Sequence, residues 1–165
     1  MPLLSRQESS RVTLRVGIPA REPLDLEFLL LDVNGTLGER GALLEGVPGR
    51  LEALAEQLEV RLLSADTFGT LDEIERQLPA RAQTVTSGEE KVAIVRRLGA
   101  AGCVAIGNGT NDALMLREAA LGIAVLGAEG TSGVALAAAD VICGSILEAL
   151  DLLRDPRTLS ATLRP

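Results

Sequence analysis

The sequence predicts an α/β fold built on a mainly parallel sheet, and three observations carry that prediction. Short apolar runs alternate with segments of helical spacing along most of the chain. One of those runs, Leu29–Leu31, is continuously apolar, as a strand buried on both faces should be. Polar residues follow the ends of several strands, at the edge where open parallel sheets bind ligands. With 165 residues and 47% hydrophobic side chains, the chain suits one domain. A domain of this size buries roughly 70% of the surface its unfolded chain exposes. The expected division is residues 1–25 as an N-terminal tail and hairpin strand, 26–153 as the core and 154–165 as a C-terminal tail.

In order, Arg11–Ile18 alternates Val12, Leu14, Val16 and Ile18 and predicts a half-exposed strand. Pro19–Pro23 turns into a second run, Leu24–Asp32, giving an N-terminal hairpin whose second run ends in the central sheet. Helical spacing of Val47, Leu51, Leu54, Ala55 and Leu58 predicts a helix near Pro48–Gln57, with Pro48 in its first turn. Val60–Leu63 is the next strand. Thr70 is the expected cap of a short helix carrying Leu71, Ile74 and Leu78 on one face. Ala82–Val85 is a weak strand. Ser87-Gly-Glu-Glu90 has capping-box spacing and opens a helix that stops near Gly99. Strands at Cys103–Ile106, Gly122–Leu126 and Val141–Cys143 alternate with helices at Asn111–Ala119 and Thr131–Ala138. A helix capped by Ser145 runs through Leu153, and the last ten residues pack as a short amphipathic tail.

Composition removes several function classes. Net charge is −7, the pI is near 4.7, and no basic run exists to release counterions from nucleic acid. Histidine, tryptophan and tyrosine are absent. Serine–histidine triads, histidine-ligated zinc and most base stacking go with them. No stretch approaches the 18 or so apolar residues of a membrane span, since Glu129, Asp140 and several glycines interrupt Leu121–Ile146. Met1–Arg11 lacks the apolar core of a secretion signal, and Cys103 and Cys143 sit in apolar runs as reduced core residues. The expected location is the cytoplasm.

Two scarcities point to a site. Lys91 is the one lysine among sixteen basic residues, and asparagine occurs only at Asn34, Asn108 and Asn111. A GC-rich genome explains the background, so these four mark positions where arginine or aspartate would not serve. Three neighbouring strands deliver Asp32, Ser64 and Asn108 to one edge, and Lys91 opens the helix before the third. A cation in a first helical turn faces the positive end of the macrodipole, so its position suggests selection as a compact point charge. Asp32-Val33-Asn34-Gly35-Thr36 adds a tight turn in which Gly35 lets backbone N–H groups approach an anion. Alone, this turn and Gly107-Asn108-Gly109-Thr110-Asn111-Asp112 are also compatible with ordinary structural turns.

Taken in order, these residues resemble the haloacid dehalogenase-like superfamily, in particular soluble proteins related to the phosphorylation domain of P-type ATPases. The resemblance covers Leu26–Leu153. Asp32–Thr36 matches the first motif, Ser64 the second, Lys91 the third and Gly107–Asp112 the fourth. It implies a three-layer, Rossmann-like sheet with helices on both faces. It implies a phosphohydrolase in which Asp32 attacks phosphorus, with Asn34 and Lys91 completing the catalytic set. Gly35, Thr36, Ser64, Lys91 and Asn111 would hold phosphate. Mg²⁺ would be held by Asp32, the Asn34 carbonyl, Asn108 and Asp112, all oxygen donors suited to a hard cation.

Two positions depart from the family pattern. Asn34 stands where family phosphatases carry an aspartate that shuttles the leaving-group proton, and Asn108 where a metal-binding aspartate is usual. Spacings of 32 residues from Asp32 to Ser64 and 27 from Ser64 to Lys91 leave no room for a cap domain. An open site implies a large substrate, such as a phosphoprotein, or a neighbouring subunit over a phosphorylated small molecule; a homo-oligomer is expected. The leading reading is a Mg²⁺-dependent phosphatase preferring good leaving groups. The alternative is a catalytically impaired phosphate-binding or regulatory module, followed by a purely structural domain.

Overall fold

The computed structural model describes residues 13–165. The expectations for Met1–Arg11, and Arg11 and Val12 of the first expected strand, lie outside the described residues. β1 (Leu14–Val16) and β2 (Leu24–Leu26) form the antiparallel N-terminal hairpin. The chain then enters the central sheet as β3 (Phe28–Asp32). A second small hairpin, β4 (Gly38–Glu39) with β5 (Ala42–Leu43), precedes α1 (Val47–Leu54). This hairpin is the only regular structure between β3 and α1, so no cap domain stands there.

β6 (Glu59–Ser64), α2 (Leu71–Arg76) and β7 (Ala80–Thr84) follow. α3 (Gly88–Leu98) leads through a short 3₁₀ turn to β8 (Cys103–Gly107). Another 3₁₀ turn at Thr110–Asp112 opens α4 (Ala113–Glu118), which feeds β9 (Leu121–Val125). α5 (Gly133–Ala138), β10 (Val141–Cys143), α6 (Ile146–Leu153) and α7 (Pro156–Leu163) complete the order. The six-stranded sheet runs β10-β9-β8-β3-β6-β7, and every adjacent pair is parallel.

Alternation along the central strands sorts side chains into two cores. Leu29, Leu31, Val60, Leu62, Val104 and Ile106 pack beneath α1, α2 and α6. Leu30, Leu63, Cys103 and Ala105 pack beneath α3, α4 and α5. Helices therefore cover both faces, which is why the central strands are apolar without interruption. The expected C-terminal tail is α7, anchored by the fully buried Leu159 and packed on β1. Both cysteines are free and buried, and burial followed by the Glu27 charge pushes the Cys103 thiol up to about 11. Among the described residues, no helix is long and apolar enough to cross a membrane.

One expected cap differs. The Thr70 side chain caps nothing; its hydroxyl donates to the Gly41 carbonyl at 3.1 Å. Asp66 reaches forward instead, accepting from the Leu71 N–H at 3.0 Å. The capping box at α3 is also only half made. Ser87 accepts from the Glu90 N–H, whereas the Glu90 carboxylate turns to the backbone and hydroxyl of Thr86.

Candidate active site

β3, β6 and β8 lie side by side at the centre of the sheet and end at one edge. β3 ends in Asp32, β6 ends in Ser64, and β8 leads through Gly107 to Asn108. Lys91 reaches the same point from the first turn of α3. Its Nζ donates to Asp32 Oδ1 at 2.9 Å and to Asp112 Oδ1 at 2.6 Å. The lysine is 1% exposed and Asp112 is 0% exposed. The helix-dipole cost expected of a first-turn cation is thus outweighed by two buried, hydrogen-bonded carboxylates.

Asp112 organises the turn after β8. Its Oδ2 accepts from the backbone N–H groups of Asn108 at 3.0 Å and Gly109 at 2.9 Å. Both of its oxygens are therefore engaged. Position 107 has to be glycine for the same reason, because a Cβ there would stand 2.5 Å from the Asp112 carboxyl carbon. Gly35 has φ +76°, and a Cβ there would stand 2.5 Å from Asn108 Nδ2. The first and fourth motifs consequently pack backbone against side chain.

Thr36 joins the two motifs. Its Oγ1 lies 3.2 Å from Asp32 Oδ2 and 3.3 Å from Asn108 Oδ1. The Asn108 amide is oriented by its other end, since Nδ2 donates to the Gly130 carbonyl at 2.9 Å. This leaves the amide oxygen on the Asp32 side. Ser64 is buried, and its Oγ accepts from the Asp66 N–H at 3.0 Å while its own hydrogen stays free to donate.

A cavity of about 290 Å³ opens over this cluster. It is lined by Asp32, Asn34, Gly35, Asn108 and Asn111 of the expected residues, and by Ala65, Thr67, Gly109 and Glu129. Thr36, Ser64, Lys91 and Asp112 are buried behind that lining. Glu129 is the residue sequence reasoning missed. Its Oε2 lies 3.1 Å from the point a Gly35 Cβ would occupy. It belongs to the loop after β9, in a chain with 23 acidic residues, and no spacing singles it out.

The charges are tightly linked. Burial, then the Asp112 charge, pushes the Asp32 carboxyl up to about 6, against the opposing pull of Lys91 and the Thr36 hydroxyl. Burial alone would lower the Lys91 pKa, but the Asp32 and Asp112 carboxylates override it and hold the amine above its ordinary value. With all three ionised, the cluster carries one net negative charge in a buried setting. Asp32 Oδ2 and Asn108 Oδ1 both stand within 3.3 Å of the Thr36 hydroxyl. That is an oxygen donor set of the kind Mg²⁺ takes, with a single carboxylate in it. Among the described residues no group of three or more histidine, cysteine or acidic side chains is arranged around a metal position.

No protein-family model matches the chain. Two uncharacterised proteins of Methanocaldococcus jannaschii are similar to it. One is 46% identical over 61 residues, which are 37% of this chain and 66% of that protein, just under two thirds of its length. The other is 51% identical over 40 residues, 24% of this chain and 91% of that protein. Among solved structures, 3-deoxy-D-manno-octulosonate 8-phosphate phosphatase from Moraxella catarrhalis superposes with a TM-score of 0.63 at 18% identity. The match covers 82% of this chain and 90% of that one, which was solved with magnesium, phosphate and KDO. Phosphoserine phosphatase in its apo form gives 0.64 at 15% identity, over 79% and 99% of the two chains. A zinc-transporting PIB-type ATPase in its E2.Pi state gives 0.61 at 25% identity, over 73% of this chain but 20% of the pump.

Proposed function

On the premise that this chain has the haloacid dehalogenase-like fold of those phosphatases, we propose that it is a phosphohydrolase with Asp32 as its nucleophile. One observation carries the proposal: Lys91, the only lysine of the sequence, is buried between Asp32 and Asp112 at the carboxyl edge of the sheet. A structural domain gains nothing from placing two carboxylates and an amine there, since apolar residues of similar volume are often as stable or more so.

In this reading the ionised Asp32 attacks phosphorus and displaces the leaving group, giving an aspartyl-phosphate that water then hydrolyses. Lys91 offsets charge on the phosphoryl oxygens and keeps Asp32 ionised above about pH 6. The Ser64 hydroxyl, whose hydrogen is not engaged, donates to the same oxygens, with Asn111 at the cavity wall, whereas Thr36 donates to Asp32 and the Gly35 and Thr36 N–H groups close the turn on the Gly38 and Val33 carbonyls. Bound Mg²⁺, held by Asp32, the Asn34 carbonyl and Asn108, would supply further charge neutralisation. Asp112 contributes by fixing Lys91 and the Asn108–Gly109 turn.

Asn34 cannot pass a proton to the leaving group. Such help is worth ~10²–10⁴-fold, so the substrates are phosphorylated small molecules with good leaving groups, such as aryl or acyl phosphates. With no cap between β3 and α1, a second copy of the chain covers the open site in this reading. The reduced, buried cysteines suit the cytoplasm. The second reading, a phosphate-binding or regulatory module, draws on the two amides at positions 34 and 108.

The test is hydrolysis of an aryl phosphate with Mg²⁺, comparing wild type with Asp32→Asn. Loss of turnover in the variant and ³²P or mass labelling of Asp32 in wild type are expected. Equal rates in both proteins would refute the proposal. A melting-temperature rise with beryllofluoride and Mg²⁺ but no turnover would favour the binding module.

A further inference from the structure

A second, larger cavity of about 620 Å³ adjoins the first, a volume in the range of small-molecule sites. Both cavities are bounded by Gly35 and Glu129. Thr36, whose hydroxyl lies 3.2 Å from Asp32 Oδ2, lines the inner end of the larger one. Its walls come from the β4–β5 hairpin, the loop after β9 and the start of α6. Leu44, Val125, Leu126, Ile146 and Leu147 make it apolar. Leu126 is 46% exposed there, a large apolar side chain left in water beside a polar site.

Charge at this cavity has one sign. Glu39, Glu45 and Glu129 line it, and no lysine or arginine does. Among the described residues, none of these three carboxylates takes part in an ion pair. The α6 N-terminus at the far wall does not reverse this. Ser145 already accepts from the Glu148 N–H, and a Cβ at Gly144 would meet the Glu148 carboxylate.

We infer that this cavity receives the leaving group of the substrate, and that this group is an apolar body bearing an amine. The inference rests on the phosphohydrolase reading for its placement beside Asp32. A second phosphate or a carboxylate on the leaving group would face three glutamates without a partner cation. An ammonium group would meet them across an apolar floor that excludes water from part of its path. The substrate class is therefore a phosphate monoester of a phenol carrying a primary amine.

Three para-substituted phenyl phosphates test this: aminomethyl (cationic), hydroxymethyl (neutral) and carboxyl (anionic), with unsubstituted phenyl phosphate as the reference. Wild-type kcat/KM is expected to fall from cationic to anionic by ~10-fold or more, the scale of one well-placed charge pair. In Glu39→Gln/Glu45→Gln the ranking should flatten while the rate on phenyl phosphate stays unchanged. A flat or reversed ranking in wild type, with phenyl phosphate still cleaved, overturns the inference and leaves the phosphohydrolase reading intact. If no ester is cleaved, that reading fails, and ligand-observed NMR with benzylamine and benzoate decides the cavity. Binding of benzylamine alone, abolished in Leu126→Arg, supports the cavity chemistry; no binding, or equal binding of benzoate, overturns it.

Discussion

Replacing the Asp32 carboxylate should make the metal-free protein more stable at neutral pH. In Asp32→Asn the side chain keeps its shape and can still accept from Lys91, now 2.9 Å away, but it can no longer ionise. The wild-type carboxyl titrates near 6 in the fold against an ordinary 3.8. A carboxyl raised in this way favours the fold fully below 3.8, and that contribution is lost as pH rises through about 6. At ~1.4 kcal/mol per pH unit of displacement, ionising Asp32 in the fold costs about 3 kcal/mol above pH 7. That cost is already net of the attraction between Lys91 and the ionised carboxylate. The gain for the variant is about 3 kcal/mol, or ~6–12 °C in melting temperature for a chain of this size. Thermal and urea melts in EDTA from pH 4 to 8 measure it. The advantage should be large at pH 8, shrink through pH 6 and vanish near pH 4. Saturating Mg²⁺ should shrink it at pH 8 as well, because a dication also relieves the excess negative charge. A variant less stable than wild type at pH 8, or a difference that ignores pH, would refute the electrostatic account of this site.

Other perturbations probe the same geometry. Lys91→Met removes the one cation from between two buried carboxylates and should destabilise the fold by ~3–5 kcal/mol at pH 8, with partial recovery in acid, measured by the same melts. Asn34→Asp should raise turnover on alkyl phosphates by ~10²-fold or more if a missing proton donor limits the reaction; steady-state kinetics decide it. Asn108→Asp, adding a carboxylate beside Thr36, should tighten Mn²⁺ or Mg²⁺ binding by ~10-fold, read by titration calorimetry. Gly122→Ala would drive a methyl into the Leu116 carbonyl of α4; backbone cannot yield there as a side chain would, and a loss of ~3 kcal/mol or more is expected in urea melts.

Much of the site was legible because its chemistry is tied to chain direction. Asp32, Ser64 and Asn108 each follow an apolar run, and parallel strands carry such residues to one edge whatever the loops do. Lys91 was legible through scarcity, and its 2.9 Å contact with Asp32 closes a separation of 59 residues. What was not legible depended on contacts too local or too distant for periodicity. The β4–β5 strands are two residues each, too short to alternate. Asp66, not Thr70, caps α2 because its side chain bridges five positions, a reach no pairwise cap rule registers. Both oxygens of Asp112 take hydrogen bonds, from Lys91 and from the Asn108 and Gly109 N–H groups, partners that no spacing registers. Glu129 enters the cavity only because the loop after β9 returns to Gly35.

The burial of Lys91 also gives the protein an unusual chemical exterior. Its sequence contains one lysine, and that amine is 1% exposed and held in its protonated form. Reagents that acylate lysine amines therefore find no ready lysine on the folded molecule. An adduct on Lys91 forms only when the fold opens, which makes acylation of that one side chain a counter of unfolding events.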